Sequence, residues 1–266
     1  MTEQSLMNEW KKDSQSFDTV ARLYDEFRPE YPSDLVEKII GLSELKKGSR
    51  ILEIGSGTGK ATRLFAGRGF LIHCIEPGRN MAEVAAQKLR GFPGITFENN
   101  RFEDSQDRVS EFDLVMSAQA FHWVPKEIGY EKAARALNNK GTLALFWNMY
   151  PGFHGQIDIE LDKIYHKIAP GLSNPRTDSE EVIQERFQDI TQSGYFGPVK
   201  LERFPWSQNY TTREYLGLLN TYSDHLRLAE LTRQQLFEAI GCAINAQGGL
   251  VERKYVTILY LAHHLS

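Results

Sequence analysis

The stretch that most limits what this chain can fold into runs from Arg50 to Lys60. Arg50-Ile-Leu-Glu-Ile54 is a short apolar run, and Gly55-Ser-Gly57-Thr-Gly59 follows it at once. An apolar run of this length bounded by glycines reads as a buried strand. Residues near 60–68 then take up a helical pattern. Glycines at alternate positions allow positive φ and let the backbone come close to a ligand. A strand, a glycine turn and a helix together make the first half of a βαβ unit.

The rest of the first half continues that alternation. Phe70–Ile75 predicts a second strand, residues 79–90 a helix through Met81, Val84, Ala85 and Leu89, and Ile95–Phe97 a short third strand. Phe112–Ser117 predicts a fourth strand, a helix runs from Pro125 to about Leu137, Asn138–Gly141 reads as a turn, and Thr142–Trp147 as a fifth strand. Alternating strands and helices imply a mostly parallel sheet. Ahead of this core, Val20, Leu23, Tyr24 and Phe27 have helical spacing, stopped by Pro29 and Pro32. Ser33 is placed to cap a helix over 34–43.

The second half is less regular. Residues 157–168 and 180–193 look helical, and 199–206 and 256–261 look like strands. Nearly 50 residues separate those strands, too many for a structureless loop in a compact domain. Thr211-Thr-Arg-Glu214 has capping-box spacing. Tyr215, Leu218, Leu219 and Tyr222 mark one helix, and Leu236, Ile240, Ala243 and Ile244 another. Residues 207–252 are therefore expected to be a helical insertion, with the last strand antiparallel at or near the sheet edge.

Composition narrows the function. Of 266 residues, 41% are hydrophobic and 25% charged, as in ordinary globular proteins. Lys+Arg 31 against Asp+Glu 35 gives a net charge of −4 without a basic stripe, which argues against a nucleic-acid partner. No run approaches the length of a membrane span. The amino terminus lacks the apolar segment of a signal peptide, so a soluble cytoplasmic protein is expected. Cys74 and Cys242 are far apart and outside any CxxC, which predicts two buried thiols rather than a disulfide or zinc site. His263 and His264 are adjacent on a strand and point opposite ways, so no metal site is expected.

The glycine pattern also separates cofactor classes. The dinucleotide fingerprint is GxGxxG, and Lys60 stands where its third glycine belongs. A P-loop needs GxxxxGK[ST], which is absent. Glu76 ends the second predicted strand, 17 positions after Gly59, where a carboxylate can accept from both hydroxyls of a ribose.

Leu52-Glu-Ile-Gly-Ser-Gly-Thr-Gly59 resembles the first motif of the class I S-adenosylmethionine-dependent methyltransferases, and Glu76-Pro77 resembles the ribose-binding acid of their second. Phe112-Asp-Leu-Val resembles their fourth strand, and Asn139-Lys-Gly-Thr the turn before the fifth. Tyr24-x-x-x-Arg28-Pro-x-Tyr-Pro32, with Ala118-Gln-Ala-Phe-His-Trp123, resembles a narrower group of trans-aconitate-methyltransferase-like enzymes acting on small molecules. The resemblance implies an α/β fold, a Rossmann-like and mostly parallel seven-stranded sheet with helices on both faces. It further implies one methyltransferase domain over 1–266, with 1–31 as an N-terminal helical lid and 149–180 and 207–252 as helical caps.

For the site, the resemblance implies S-adenosylmethionine as cofactor. Glu53, Gly55, Ser56, Gly57 and Gly59 belong to the loop at its methionyl part, Glu76 and Pro77 to its ribose, and Met81 to its adenine or ribose. Arg101, Phe102 and Glu103 flank the adenine. Many members carry Gly-Asp-Ala where this chain has Asn100-Arg101-Phe102, so the group that reads the adenine amino group is left unassigned. Ser117, Ala118 and Gln119 line the cofactor near its sulfonium. Tyr24 joins them at the site, and Arg28 either holds the cofactor carboxylate or an anionic substrate.

The acceptor is expected to be a small molecule. A carboxylate acceptor is already ionised and needs no base. A hydroxyl or amine needs one, and His122, just past the fourth strand, is the candidate catalytic base. Trp123, Tyr24 and Phe153 can face the sulfonium through cation–π contact. Residues 149–176, with Tyr150, Phe153, His154, Tyr165 and His166, are expected to wall the acceptor pocket together with the helical insertion. Two other readings stand beside this one: an NAD(P)-dependent oxidoreductase and a non-catalytic cofactor-binding or interaction module.

Overall fold

The computed structural model describes residue 18 and residues 20–152, 155–172 and 180–265. Residues 1–17 of the expected lid, and Phe153 and His154 of the expected pocket wall, lie outside the described residues.

Five strands form the parallel part of a seven-stranded sheet: β1 (Arg50–Ile54), β2 (Leu71–Ile75), β3 (Ile95–Glu98), β4 (Phe112–Ala118) and β5 (Leu137–Met149). Two more, β6 (Lys200–Thr211) and β7 (Leu250–His263), complete it, in the order β3-β2-β1-β4-β5-β7-β6. β7 lies antiparallel between β5 and β6. The last strand is therefore one place in from the edge, and β6 is the edge strand. Pro205 sits within β6, where an edge strand tolerates a missing N–H.

The inner strands are buried on both faces, as helix-covered parallel strands are. Alternation sends Leu52, Ile54, Val115 and Leu145 into one apolar layer and Ile51, Leu114, Met116 and Phe146 into the other. α2 (Ser33–Leu42) and α3 (Lys60–Phe65) cover the second face, and α5 (Lys126–Ala136) covers the first, joined there by helix Glu180–Gln192. Between α3 and α5 come α4 (Arg79–Leu89) and a single 3-10 turn at Phe121–Trp123. α1 (Ala21–Phe27) precedes them all.

A third apolar cluster forms the cap. It joins Phe27 of α1 to α6 (Gln156–Ile168), to α8 (Thr212–Leu219) and to α10 (Glu230–Ala246) through Leu161, Tyr215, Leu218, Leu236 and Ile240. The two remaining helices are α7 (Glu180–Gln192) and the short α9 (Ser223–Leu226). The capping box at α8 is formed: Thr211 and Glu214 bond reciprocally through side chain and backbone N–H.

Four expectations change here. Residues 207–211 and 250–252 are strand, not helix, because β6 and β7 stay paired out to Thr211↔Leu250. β5 leaves that ladder at Met149↔Val256, so the two-stranded ribbon runs on past the carboxyl end of β5 and holds the helices of 212–246 there. Asn138–Gly141 is a bulge within β5: pairing jumps from Phe112↔Leu137 to Leu114↔Thr142. The turn chemistry is still present, since Asn138 Oδ1 accepts from the Lys140 N–H while its Nδ2 donates to Asp113. Ser33 is the first residue of α2 rather than its cap, and its hydroxyl bonds Asp34. Cys74 is buried as expected, but Cys242 is exposed on the outer side of α10.

Candidate functional site

The strand order reverses between β1 and β4, and in open α/β sheets ligands bind at the carboxyl ends beside that point. The loops leaving β1 and β4 meet there. Gly55 has φ 68°, and a Cβ on it would lie 2.4 Å from Ala120 Cβ. Only glycine lets the two loops touch. Gly59 has φ 79° and backs onto α4, where a Cβ would meet Leu89 at 2.9 Å. Gly57, at φ 56°, differs: nothing lies within 4 Å of its missing Cβ, and it faces a cavity of about 680 Å³.

That volume lies within the range of small-molecule sites. One wall is the predicted set: Gly55, Gly57, Glu76, Pro77 and Met81, then Arg101, Phe102 and Glu103 after β3, and Ala118 and Gln119 after β4. Tyr24, Arg28 and His122 complete the group that the fold brings together. A small side chamber behind the glycine loop adds Glu53, Ser56, Thr58 and Lys60.

Glu76, just past β2, is only 8% exposed. Its Oε2 accepts the Gly57 N–H at 2.7 Å and its Oε1 the Gly78 N–H at 2.8 Å. Burial raises its pKa to about 7; those two N–H groups pull it back and the Asp18 carboxylate adds to the rise. A carboxylate has about four acceptor sites, so two remain for ligand hydroxyls. Glu53 is fully buried, with Oε2 accepting from the Thr62 hydroxyl at 2.6 Å. Burial raises it to about 8.

Two predicted residues, Ser117 and Gly59, line neither the cavity nor the side chamber. Ser117 is wholly buried and its hydroxyl donates to the Ile54 carbonyl, tying β4 to β1. Strand alternation turns it away from the side that Ala118 occupies. Gly59 shapes the turn from behind. Arg28 lines the cavity, but its Nη2 donates to the Thr221 carbonyl at 2.8 Å and its guanidinium lies 4.3 Å from the Tyr222 ring centre. It thus links the N-terminal segment to the cap.

His122 lines the cavity, yet the geometry opposes a base role. The Trp147 indole N–H donates to His122 Nδ1 at 3.2 Å. An indole can only donate, so Nδ1 must carry the lone pair. The neutral ring then bears its proton on Nε2 and has no lone pair left for a proton from the acceptor. The ring opens onto the cavity, but the protein packed around it, and next the Arg186 guanidinium, push its pKa well below the usual histidine range.

The opposite wall includes Tyr150 and part of the helical insertion, both expected there from the sequence, but Trp147 and Arg186 were not anticipated. It is built by Trp147, Met149 and Tyr150 at the end of β5, by Arg186 of α7, and by Tyr222 and Arg227 from the cap. The Arg186 guanidinium lies 4.2 Å from the Trp147 ring centre and its Nη1 donates to Met149 Sδ. Tyr150 and Tyr222 bond through their hydroxyls. Trp147 offered a signal, because a buried indole N–H needs an acceptor. Arg186 and Arg227 offered none: Arg186 sits in an ordinary amphipathic helix and Arg227 just past the short α9. Among the described residues no cluster of His, Cys, Asp or Glu could hold a metal ion, and no helix is long and apolar enough to cross a membrane.

The profile of the methyltransferase domain family matches residues 51–141, from β1 to the bulge in β5. An uncharacterized methyltransferase of Oceanobacillus iheyensis is 35% identical over 155 residues, which is 55% of this chain and 71% of that protein. The chain belongs to the methyltransferase family. A methyltransferase-like protein of Schizosaccharomyces pombe, also uncharacterized, is 27% identical over 225 residues and 84% of each chain, so the relationship extends into the cap. This methyltransferase also shares its fold with phosphoethanolamine N-methyltransferase 2 of Haemonchus contortus, solved with phosphomonomethylethanolamine and S-adenosylhomocysteine. The TM-score is 0.55 at 15% identity, over 92% of this chain and 57% of that longer one.

Proposed function

We propose that this methyltransferase moves the methyl group of S-adenosylmethionine to a small anionic acceptor, with a carboxylate as the favoured class. The observation that carries the reading is a single cavity with two unlike walls. The sheet wall holds the glycine loop and Glu76. The facing wall holds aromatic rings together with Arg186 and Arg227.

The cofactor fits the sheet wall on three counts. The space beside Gly57 is open where a Cβ would stand. Glu76 keeps acceptor capacity for ribose hydroxyls. Glu53 Oε1, Ser56 Oγ and Thr58 Oγ1 are buried around the loop without a hydrogen-bond partner, and such groups are costly unless something satisfies them. When bound, S-adenosylmethionine supplies a methyl group made electrophilic by its sulfonium and leaves as S-adenosylhomocysteine. Met81 and Phe102 offer apolar surface to the adenine end. Gln119, held by its own Nε2 bond to the Asn148 carbonyl, stands between the two walls.

The protein's remaining tasks are to exclude water and to orient the acceptor, and positioning of this kind can supply much of the rate. The cap roofs the cavity through Tyr222 and Arg227, which suits a small molecule rather than a polymer. Arginines on the acceptor wall favour a negative charge, since guanidinium matches carboxylate geometry. Membership in the methyltransferase family disfavours the oxidoreductase reading. The test pairs calorimetry with an acceptor screen read by S-adenosylhomocysteine release. S-adenosylmethionine should bind and NADH should not, and small di- and tricarboxylates should give more product than amines of similar size. Turnover of amines alone would overturn the anionic assignment.

A further inference from the structure

We infer that His122 is a fixed hydrogen-bond donor to the acceptor, and that Trp147 is the positioning residue that makes it one. The inference rests on the function proposed above and assigns a role that the base reading of His122 had reversed.

Trp147 lies near the end of β5 and is 4% exposed. Its ring is held edge-on to Tyr260 at 5.7 Å, and the Arg186 guanidinium covers it at 4.2 Å. An indole so packed cannot swing away, and its N–H is aimed at His122 Nδ1. Moving the imidazole proton to Nδ1 would set two N–H groups against each other at hydrogen-bond distance. Protonating the ring would do the same and add a second cation near Arg186. Both alternatives are therefore disfavoured by contacts already in place. Trp123 also packs on the imidazole, its ring centre 4.7 Å from that of His122, which limits rotation.

Nε2 thus keeps its proton, on a ring that lines the cavity, and it has no protein partner among the described residues. The fitting ligand atom is an oxygen acceptor, and best a charged one, because hydrogen bonds to charged groups are the stronger class. One oxygen of a carboxylate can take this bond while the other stays available for methylation. No proton needs to leave the acceptor, so a ring without a free lone pair is no handicap. The same arrangement discriminates against alcohols and amines whose protons must be removed.

The test begins with the intact protein and needs no identified acceptor. Nitrogen-15 NMR of the ring should show the Nε2–H tautomer from pH 5 to pH 8, with and without S-adenosylhomocysteine. An Nδ1–H tautomer, or titration near pH 6.5, would overturn the inference. Succinate added to the S-adenosylhomocysteine-loaded protein should then shift the Nε2–H signal saturably; no shift would equally overturn it. His122→Gln keeps an oxygen for the indole and an N–H for the ligand, whereas His122→Phe keeps neither. Succinate should bind His122→Gln about 10-fold or more tighter than His122→Phe. Equal loss in the two would leave His122 a packing group. Trp147→Phe frees Nδ1, so the Nδ1–H tautomer should become populated beside Nε2–H in the same nitrogen-15 spectra; a spectrum unchanged from the parent would deny Trp147 its positioning role. The outcomes separate cleanly from the parent reading. Failure to bind S-adenosylhomocysteine defeats the proposed function, while normal cofactor binding with the wrong tautomer defeats only this inference.

Discussion

Glu76 should make cofactor binding depend on pH. Its pKa of about 7 in the free protein means that near neutral pH much of the carboxyl still carries a proton. Ribose hydroxyls are donors, and they favour the ionised form. Each hydrogen bond to a charged group contributes roughly 1.5–3 kcal/mol, less for the protonated acid. If the complex prefers the carboxylate by about 1.4–2.7 kcal/mol, the pKa falls by ~1–2 units on binding. Binding then releases a proton, so affinity rises with pH up to about 7 and levels off above it. Between pH 7 and pH 5 the affinity for S-adenosylhomocysteine should fall about 5- to 25-fold. Titration calorimetry in two buffers of different ionisation heat reads both the affinity and the protons released. S-adenosylhomocysteine is the better probe, because it has the same ribose and does not react. Glu76→Gln should abolish the dependence; it also sets an amide N–H against the Gly57 or Gly78 N–H and so weakens binding at every pH. Affinity unchanged from pH 5 to pH 8 in the parent protein would refute the reasoning.

Glu53 should set a second pH effect, on stability. Its folded pKa of about 8 lies above the usual 4.5, so the folded state keeps a proton that the unfolded chain loses as pH rises. Stability should therefore fall between about pH 4.5 and pH 8 and level off beyond, by roughly 3–5 kcal/mol in all; Glu53→Gln, with its amide oxygen still accepting from Thr62, should flatten that slope in urea unfolding. The glycines separate folding from binding: Gly57→Ala should cost only about 1–2 kcal/mol for its backbone conformation yet weaken S-adenosylhomocysteine binding strongly. Gly55→Ala, which drives a Cβ into Ala120, should destabilise the fold by clearly more, and equal thermal shifts in the two variants would contradict the assignment.

The alternation of apolar runs and helical patterns made the parallel core legible, because strands buried on both faces and helices with one apolar stripe leave different periods in the chain. The glycine loop and Glu76 were legible for a related reason: backbone conformation and a strand-end acid are local facts, and local facts are written in consecutive residues. Local rules also failed in identifiable places. Asn138–Gly141 reads as a turn in any sequence; only pairing with β4 makes it a bulge. Ser117 sits beside the site in sequence, yet strand alternation and the Ile54 carbonyl turn it inward. Position alone made His122 a candidate base, and its chemistry was decided by an indole 25 residues away. The cap shows the same division. Its helices could be read from spacing, but not where they would sit, because that depends on a β6–β7 ribbon that outruns β5. Arg186, Tyr222 and Arg227 reach the cavity only through that ribbon and the packing of α7. Sequence therefore determined what binds at the sheet end, where backbone and one acid suffice. Tertiary structure decided what faces it, because a cavity wall assembled from distant helices exists only once their apolar sides are buried together.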